Sequence, residues 1–231
     1  MIDQGPRRRF RARAVIIDLD GTLLDTAPDL AAAVNATLIG IGRPALPVTE
    51  VAGYIGKGVQ VLMHRALTGS FDGRAPETLF EPAMRAFTEH YRRENGRHAE
   101  PYPGVIQGLQ AMRGAGLRLA VVTNKPIAFT TPLLVASGLA DYFDLTVAGD
   151  SLARKKPDPM PMLHACEHFG LPADQVVAIG DSLNDALAAR AAGMAVMAVP
   201  YGYNEGRDVR SLQVDAIVST LFEASSLIDC C

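Results

Sequence analysis

"AVIIDLDGTLLDT", residues 14 to 26, decides how the rest of the chain is read. Apolar residues Ala14 to Ile17 run straight into two carboxylates, Asp18 and Asp20, with Gly21 directly behind them. Carboxylates two residues apart in extended backbone project to one face. There they repel each other and resist burial. A strand tip that carries such a pair has something positive to hold.

Working outward, "TAPDLAAAVNATLIGIG" (26–42) predicts a helix. Thr26 and Asp29 give it a capping-box-like start, Pro28 sits in its first turn, and Gly40 and Gly42 end it. A second helical face carries Val59, Leu62, Met63, Ala66 and Leu67, and a third carries Phe80, Met84, Phe87 and Tyr91. No strand is expected between Asp25 and about Glu100. "EPYPGV" (100–105) changes the texture with two prolines and a glycine. Apolar runs at 117–123, 144–148, 175–180, 194–199 and 215–218 then alternate with helical patterns at 104–113, 127–138, 159–169 and 185–192. This alternation predicts an α/β fold: a Rossmann-like parallel sheet with helices on both faces. Residues 1–24 and 100–231 form its core, and 25–99 are an inserted all-helical domain.

Composition narrows the function. The 231 residues are 48% hydrophobic and 20% charged, which suits a packed globular protein. A net charge of -3 gives no reason to expect a nucleic-acid partner. The arginines at 7, 8, 9, 11 and 13 are expected in a solvated terminus rather than an interaction tail. The longest uncharged stretch, Pro126 to Ala140, contains two prolines and is too short to span a membrane. Asp18 and Asp20 stand where a secretory signal would need an apolar core. Cys166, Cys230 and Cys231 make no disulfide framework and suit a reducing cytoplasm. The chain is expected to act as a monomer or homodimer.

Three later strand ends resemble the first in chemistry. One ends in Thr123 and Asn124. Another leads to Lys155 and Lys156 ahead of Pro157. The third ends in Asp181, Ser182 and Asp185 at a helix start. In an open α/β sheet, ligands bind outside the carboxyl ends of the strands, so parallel strands would bring these groups to one edge. Carboxylates grouped so closely call for a divalent cation, and oxygen-only ligands favour Mg²⁺. Lysine and backbone amides leave room for an anion beside it, most simply a phosphate. Each element alone has an ordinary reading: a surface DxD pair, a helix cap at Thr123, an exposed loop lysine, or acids favoured at a helix N-terminus. Four such sites at four strand ends outweigh those readings.

"DLDGTLLDT", "VVTN", "KKPDP" and "GDSLND" stand in the order of the four motifs of the haloacid dehalogenase superfamily, which the chain resembles from about Ala14 onward. The insert after the first motif is similar to that superfamily's helical cap. "YIGKGVQVLMHRAL", "HYRRENGRHAEPYPGV" and "YGYNEG" further resemble its phosphoglycolate phosphatase branch. The resemblance implies that Asp18 is a nucleophile forming an aspartyl-phosphate and that Asp20 is its general acid and base. It also implies Mg²⁺ held by Asp18, the Asp20 carbonyl and Asp181, with Asp185 acting through water or as an orienter. Thr123, Asn124 and backbone near Gly21 would bind the phosphoryl group, and Lys156 would offset its charge. The acid at Asp20 argues for phosphate over carbon–halogen chemistry, because dehalogenating members lack it.

Selectivity then falls to the insert. "GYIGKG" (53–58) places three glycines around Lys57, so Lys57 or Arg65 is expected to meet the carboxylate of a small phosphorylated metabolite such as 2-phosphoglycolate. The same glycines also suit a plain junction between helices. They do not make a nucleotide-binding loop, since no Ser or Thr follows the lysine. A sugar-phosphate mutase, a sugar phosphatase, a pyrophosphatase and a silent phosphate-binding protein remain alternatives. "HACEH" (164–168) matches a zinc-peptidase pattern, but no third ligand is evident and the helix needs its apolar residues for packing.

Overall fold

The computed structural model describes residues 9–231. Arg7 and Arg8 of the basic cluster lie outside the described residues. In chain order the elements are β1 (Phe10–Ala12), β2 (Ala14–Ile17), β3 (Leu24–Asp25), α1 (Ala27–Gly40), α2 (Val48–Tyr54), α3 (Val59–Thr68) and α4 (Glu77–Glu94). There follow β4 (Glu100–Pro101), α5 (Val105–Gly114), β5 (Arg118–Val122), α6 (Ile127–Ala136), β6 (Leu145–Val147) and α7 (Met160–Phe169). The chain finishes with β7 (Val176–Gly180), α8 (Leu183–Ala192), β8 (Ala195–Ala198), β9 (Ala216–Ile217), α9 (Leu221–Ser226) and β10 (Ile228–Cys230).

The apolar runs pair as one six-stranded parallel sheet in the order β6-β5-β2-β7-β8-β9. Strand β2 is central, with Ala14 opposite Arg118 of β5 and Val176 of β7. Its four residues are all buried because each face meets a separate core. Val15 and Ile17 pack with Leu109 of α5, Leu133 of α6 and Leu221 of α9. Ala14 and Ile16 pack with Cys166 and Phe169 of α7 and Ala188 of α8. Near-continuous apolar strands are what a parallel sheet covered on both faces requires.

Helices α1 to α4 leave the sheet through β3 and return through β4. These strands form a two-residue antiparallel ribbon pairing Leu24 with Pro101 and Asp25 with Glu100. The insert has its own apolar cluster, in which Leu30, Val34 and Leu38 meet Met63, Phe87 and Tyr91. No strand was expected at this neck, because two residues carry no periodicity to read. Helix α2, seven residues long, escaped for the same reason.

The start of α1 departs from the expected capping box. Thr26 makes no side-chain cap. Its hydroxyl donates instead to Asp20 Oδ1 at 2.7 Å. Asp29 is buried and accepts from the Gly96 and His98 backbone N–H groups at 2.8 and 2.9 Å, tying the beginning of the insert to its end. Tertiary partners outbid the local cap. The described arginines of the N-terminal cluster, Arg9, Arg11 and Arg13, are exposed, and Arg9 forks onto Asp229 at 2.8 and 2.5 Å, beside the parallel pairing of β1 with β10. Cys166 is buried and Cys230 and Cys231 are exposed, all as free thiols. Among the described residues no helix is long and apolar enough to cross a membrane.

Replacing Asp29 by Ala strands two backbone amides that the carboxylate now satisfies. The expected loss is about 2 kcal/mol. It should appear in urea unfolding as a lower midpoint with an unchanged slope.

Candidate active site

Parity along the first strand sets the site. Leu19 continues the alternation of Val15 and Ile17 into the core, which turns Asp18 and Asp20 to the other side. The Asp18 N–H donates to Ile179 O at 3.0 Å and extends the sheet by one residue. Thr123 ends β5 in the same way, its N–H on Val147 O and its hydroxyl accepting the Lys125 N–H at 3.1 Å. Lys156 comes from the loop after β6, Asp181 follows β7, and Asp185 lies in the first turn of α8.

These side chains meet. Lys156 Nζ donates at 2.6 Å to each of Asp18 Oδ1, Asp185 Oδ1 and Val122 O, which uses all three of its protons. Asp185 Oδ2 accepts from the Ser182 N–H at 3.1 Å and the Ser182 hydroxyl at 2.6 Å, so this acid both caps its helix and orients the lysine. Asp181 accepts from the Thr22 hydroxyl at 3.1 Å and from the Tyr203 N–H. Carboxylate oxygens of Asp18, Asp181 and Asp185 lie within 4.8 Å of one another. On the other side, Asp20 Oδ1 accepts from Thr26 and from Lys125 Nζ, both at 2.7 Å. Lys125 is buried, with its ammonium 5.0 Å from the centre of the Tyr91 ring.

The electrostatics follow from burial. Loss of water pushes the Asp18 carboxyl up to about 7 against the pull of Lys156, with Asp185 and Asp20 adding to the rise. Burial, then Asp185 and Asp18, drive Asp181 well above the usual carboxylate range. Burial opposes the charge on both lysines, yet Asp18 and Asp185 hold Lys156 above its ordinary value, and Asp20 and Tyr91 do the same for Lys125. Four carboxylates face two ammonium groups, so full ionisation of the acids would leave two negative charges unbalanced, and the raised Asp18 and Asp181 carboxyls take up protons instead.

Asp18, Asp20, Thr123, Asn124 and Lys156 line a narrow cavity of about 30 Å³, roofed by Leu30, Gly56, Gly58 and Val59 of the insert. Other expected residues take different parts. The Gly21 N–H is used on Leu24 O at 2.9 Å, so Gly21 offers no free amide for a phosphate. It offers space: at φ +86°, an added Cβ would stand 2.5 Å from Asp181 Oδ2. The Asn124 side-chain amide donates to Gly56 O at 3.0 Å and Lys156 O at 2.9 Å, fastening the roof to the sheet edge. Lys57 and Arg65 do not line this cavity. Both ammonium and guanidinium converge on Glu205, at 3.1 and 2.6 Å, and the buried Arg65 also donates to the Tyr54 and Phe71 carbonyls. His164 and His168 gather no third ligand among the described residues.

Lys125 was not singled out by its sequence, although it directly follows Thr123 and Asn124 at a strand end. Tyr203 and Glu205 belong to "YGYNEG", a stretch after the last clear strand that suits both the border of the site and a plain loop. Their partners lie more than a hundred positions away.

A family model described as haloacid dehalogenase-like hydrolase matches residues 12–193. The chain belongs to this family. Among curated relatives of this hydrolase, the phosphoglycolate phosphatase of Nitrosospira multiformis is 56% identical over 94% of this chain and 95% of its own. That of Thiobacillus denitrificans is 49% identical over the same shares. A crystal structure from Haemophilus somnus 129pt, described as a predicted phosphoglycolate phosphatase, superposes with TM-score 0.88 at 34% identity, covering 93% of this chain and 97% of that one.

Two glycines separate backbone strain from crowding. Gly42 has φ +74° and nothing within 4 Å of an added Cβ, so Gly42→Ala should lose about 1 kcal/mol of stability. Gly21→Ala carries the same strain plus the collision with Asp181, and should lose more than about 2 kcal/mol in the same unfolding assay.

Proposed function

We propose that this hydrolase cleaves a small phosphate monoester, 2-phosphoglycolate, to glycolate and orthophosphate. The observation that carries the reading is the pairing of Asp18 and Asp20 at one cavity, each held by a buried lysine through a single oxygen. The names of the relatives support the choice of substrate.

Asp18 Oδ1 is fixed by Lys156, which leaves Oδ2 to attack phosphorus. As the new P–O bond forms, the ester P–O bond breaks, and the departing alkoxide takes a proton from Asp20. Both donors on Asp20 reach Oδ1, so Oδ2 carries that proton. Asp20 then takes a proton from water, which attacks the aspartyl-phosphate and frees Asp18 and orthophosphate. Lys156 offsets charge on the phosphoryl oxygens, and the Thr123 hydroxyl is placed to bond one of them.

Mg²⁺ suits the donor set, because three carboxylates gather oxygen atoms in one place and their full ionisation would leave two negative charges unbalanced. Asp18, the Asp20 carbonyl and Asp181 would hold it, while Asp185 keeps Lys156 in place. When bound, the ion supplies charge neutralisation at the transferring phosphoryl group.

The cavity has room for only a few waters, too little for a phosphate ester. Substrate entry then calls for movement of the helical insert, residues 25–99, about the β3–β4 neck, beside the adjoining groove of about 890 Å³. Three free thiols suit a reducing compartment, and we place the reaction in the cytoplasm.

Phosphate release from 2-phosphoglycolate should require Mg²⁺, stop with EDTA, and fall at least about 1,000-fold in Asp18→Asn and Asp20→Asn. An Asp18→Asn variant as active as the parent overturns the mechanism. Mg²⁺ binding has a readout of its own. The Asp18 carboxyl loses its proton as pH rises through about 7, so protons compete with the cation below that pH. The rise in Tm on adding Mg²⁺ should be larger at pH 8 than at pH 6.

A further inference from the structure

The cations that border the cavity and its grooves are almost all engaged. Lys125 is paired with Asp20, Lys156 with Asp18 and Asp185, Arg154 with Asp158 at 3.6 Å, and Lys57 with Glu205. Lys155 is the exception. Its Nζ donates to the Lys57 carbonyl at 2.9 Å, and among the described residues it pairs with no carboxylate. An ammonium has three protons, so two remain to be offered.

The position of that ammonium is what gives it meaning. A Cβ built on Gly58 would stand 3.1 Å from Lys155 Nζ, and Gly58 lines the same cavity as Asp18 and Asp20. Lys155 also lines the large groove that shares Gly58, Val59 and Asn124 with the cavity. It therefore stands at the mouth, where the chemistry opens towards solvent. Lys155 and Lys156 are neighbours in the chain, yet one turns in to Asp18 and the other turns to the insert. Burial lowers the Lys155 ammonium below its usual value, as expected of a charge held out of water without a counter-ion.

We propose that Lys155 is the specificity-determining residue of this site: its ammonium receives the carboxylate of the substrate while the phosphoryl end lies against Asp18. This rests on the reading of the substrate as a carboxylate-bearing phosphate ester, and it moves that recognition from Lys57 and Arg65 in the insert to the core. Glu205 already neutralises Lys57 and Arg65, so a substrate carboxylate would have to displace it to reach them. At Lys155 nothing has to be displaced.

The test compares 2-phosphoglycolate with ethyl phosphate, which keeps two carbons and the phosphate and lacks the carboxylate. Steady-state kinetics with Mg²⁺ give kcat/KM for both esters in the parent, Lys155→Met and Lys155→Arg. Thermal unfolding checks that each variant is folded. The expected result is a parent ratio well above one that falls about 100-fold in Lys155→Met, mainly through KM for 2-phosphoglycolate. Lys155→Arg should keep most of the ratio. A parent that prefers 2-phosphoglycolate and a folded Lys155→Met that prefers it equally would overturn the role of Lys155 alone. A parent that does not distinguish the two esters would overturn the substrate reading, and this proposal with it.

Discussion

Four carboxylates cannot share one edge of a sheet unless something holds their charges apart, and here two buried lysines do so. Lys156 stands between Asp18 and Asp185, and Lys125 stands against Asp20. Each ammonium is out of water, which is unfavourable in isolation and tolerable only with a carboxylate in contact. The dependence is mutual: without the lysines the acids would take up protons, and without the acids the lysines would give theirs up. The parallel sheet makes the arrangement reachable by delivering four strand ends to one side, so residues up to 138 positions apart meet within 2.6 Å. The shortfall of two cations raises the Asp18 and Asp181 carboxyls, and a bound cation would let both give up their protons.

A second set of contacts joins this charged edge to the insert. The loop after β8 passes so close to the first motif that a Cβ on Gly202 would meet Gly21 O at 2.2 Å. Tyr201 donates its hydroxyl to Thr22 O at 3.0 Å. Tyr203 gives its N–H to Asp181, donates its hydroxyl to Asp25 in the neck, and accepts the Ala27 N–H at 2.9 Å where α1 begins. Glu205 then reaches Lys57 and Arg65 inside the insert. One short loop thus touches the acidic cluster, the neck and the insert, and ties the backbone beside Asp181 to both.

Much of the architecture was readable from the chain because a buried parallel strand leaves a strong trace. The six apolar runs at 14–17, 117–123, 144–148, 175–180, 194–199 and 215–218 all lie in the main sheet. The elements that escaped are short: the neck strands, α2, α9 and the terminal pair β1 and β10. They exist through pairing partners and not through periodicity. The site divides along the same line. Residues at strand ends were legible because topology alone decides where a strand end points. Thr26, Gly21, Lys57 and Arg65 were legible only as chemical types. Whether a hydroxyl caps its helix or bonds Asp20 depends on which acceptor is nearest in space. Whether a cation is free depends on a glutamate 140 positions away, as with Arg65 and Glu205.

Lys155 and Lys156 show how far residue type underdetermines role. They are the same amino acid in consecutive positions, with identical donors and stems. One has two carboxylates and a carbonyl within 2.6 Å and is locked as a fixed positive charge. The other has a single carbonyl and faces a groove. Consecutive side chains diverge, so the same short loop serves the interior of the site and its mouth. On the proposed mechanism such a core keeps its phosphate chemistry constant, because Asp18 is held by Lys156, and Lys156 in turn by Asp185 and Val122. Lys155 is held by one carbonyl. In its proposed role, discrimination between substrates can change there without disturbing that charge balance.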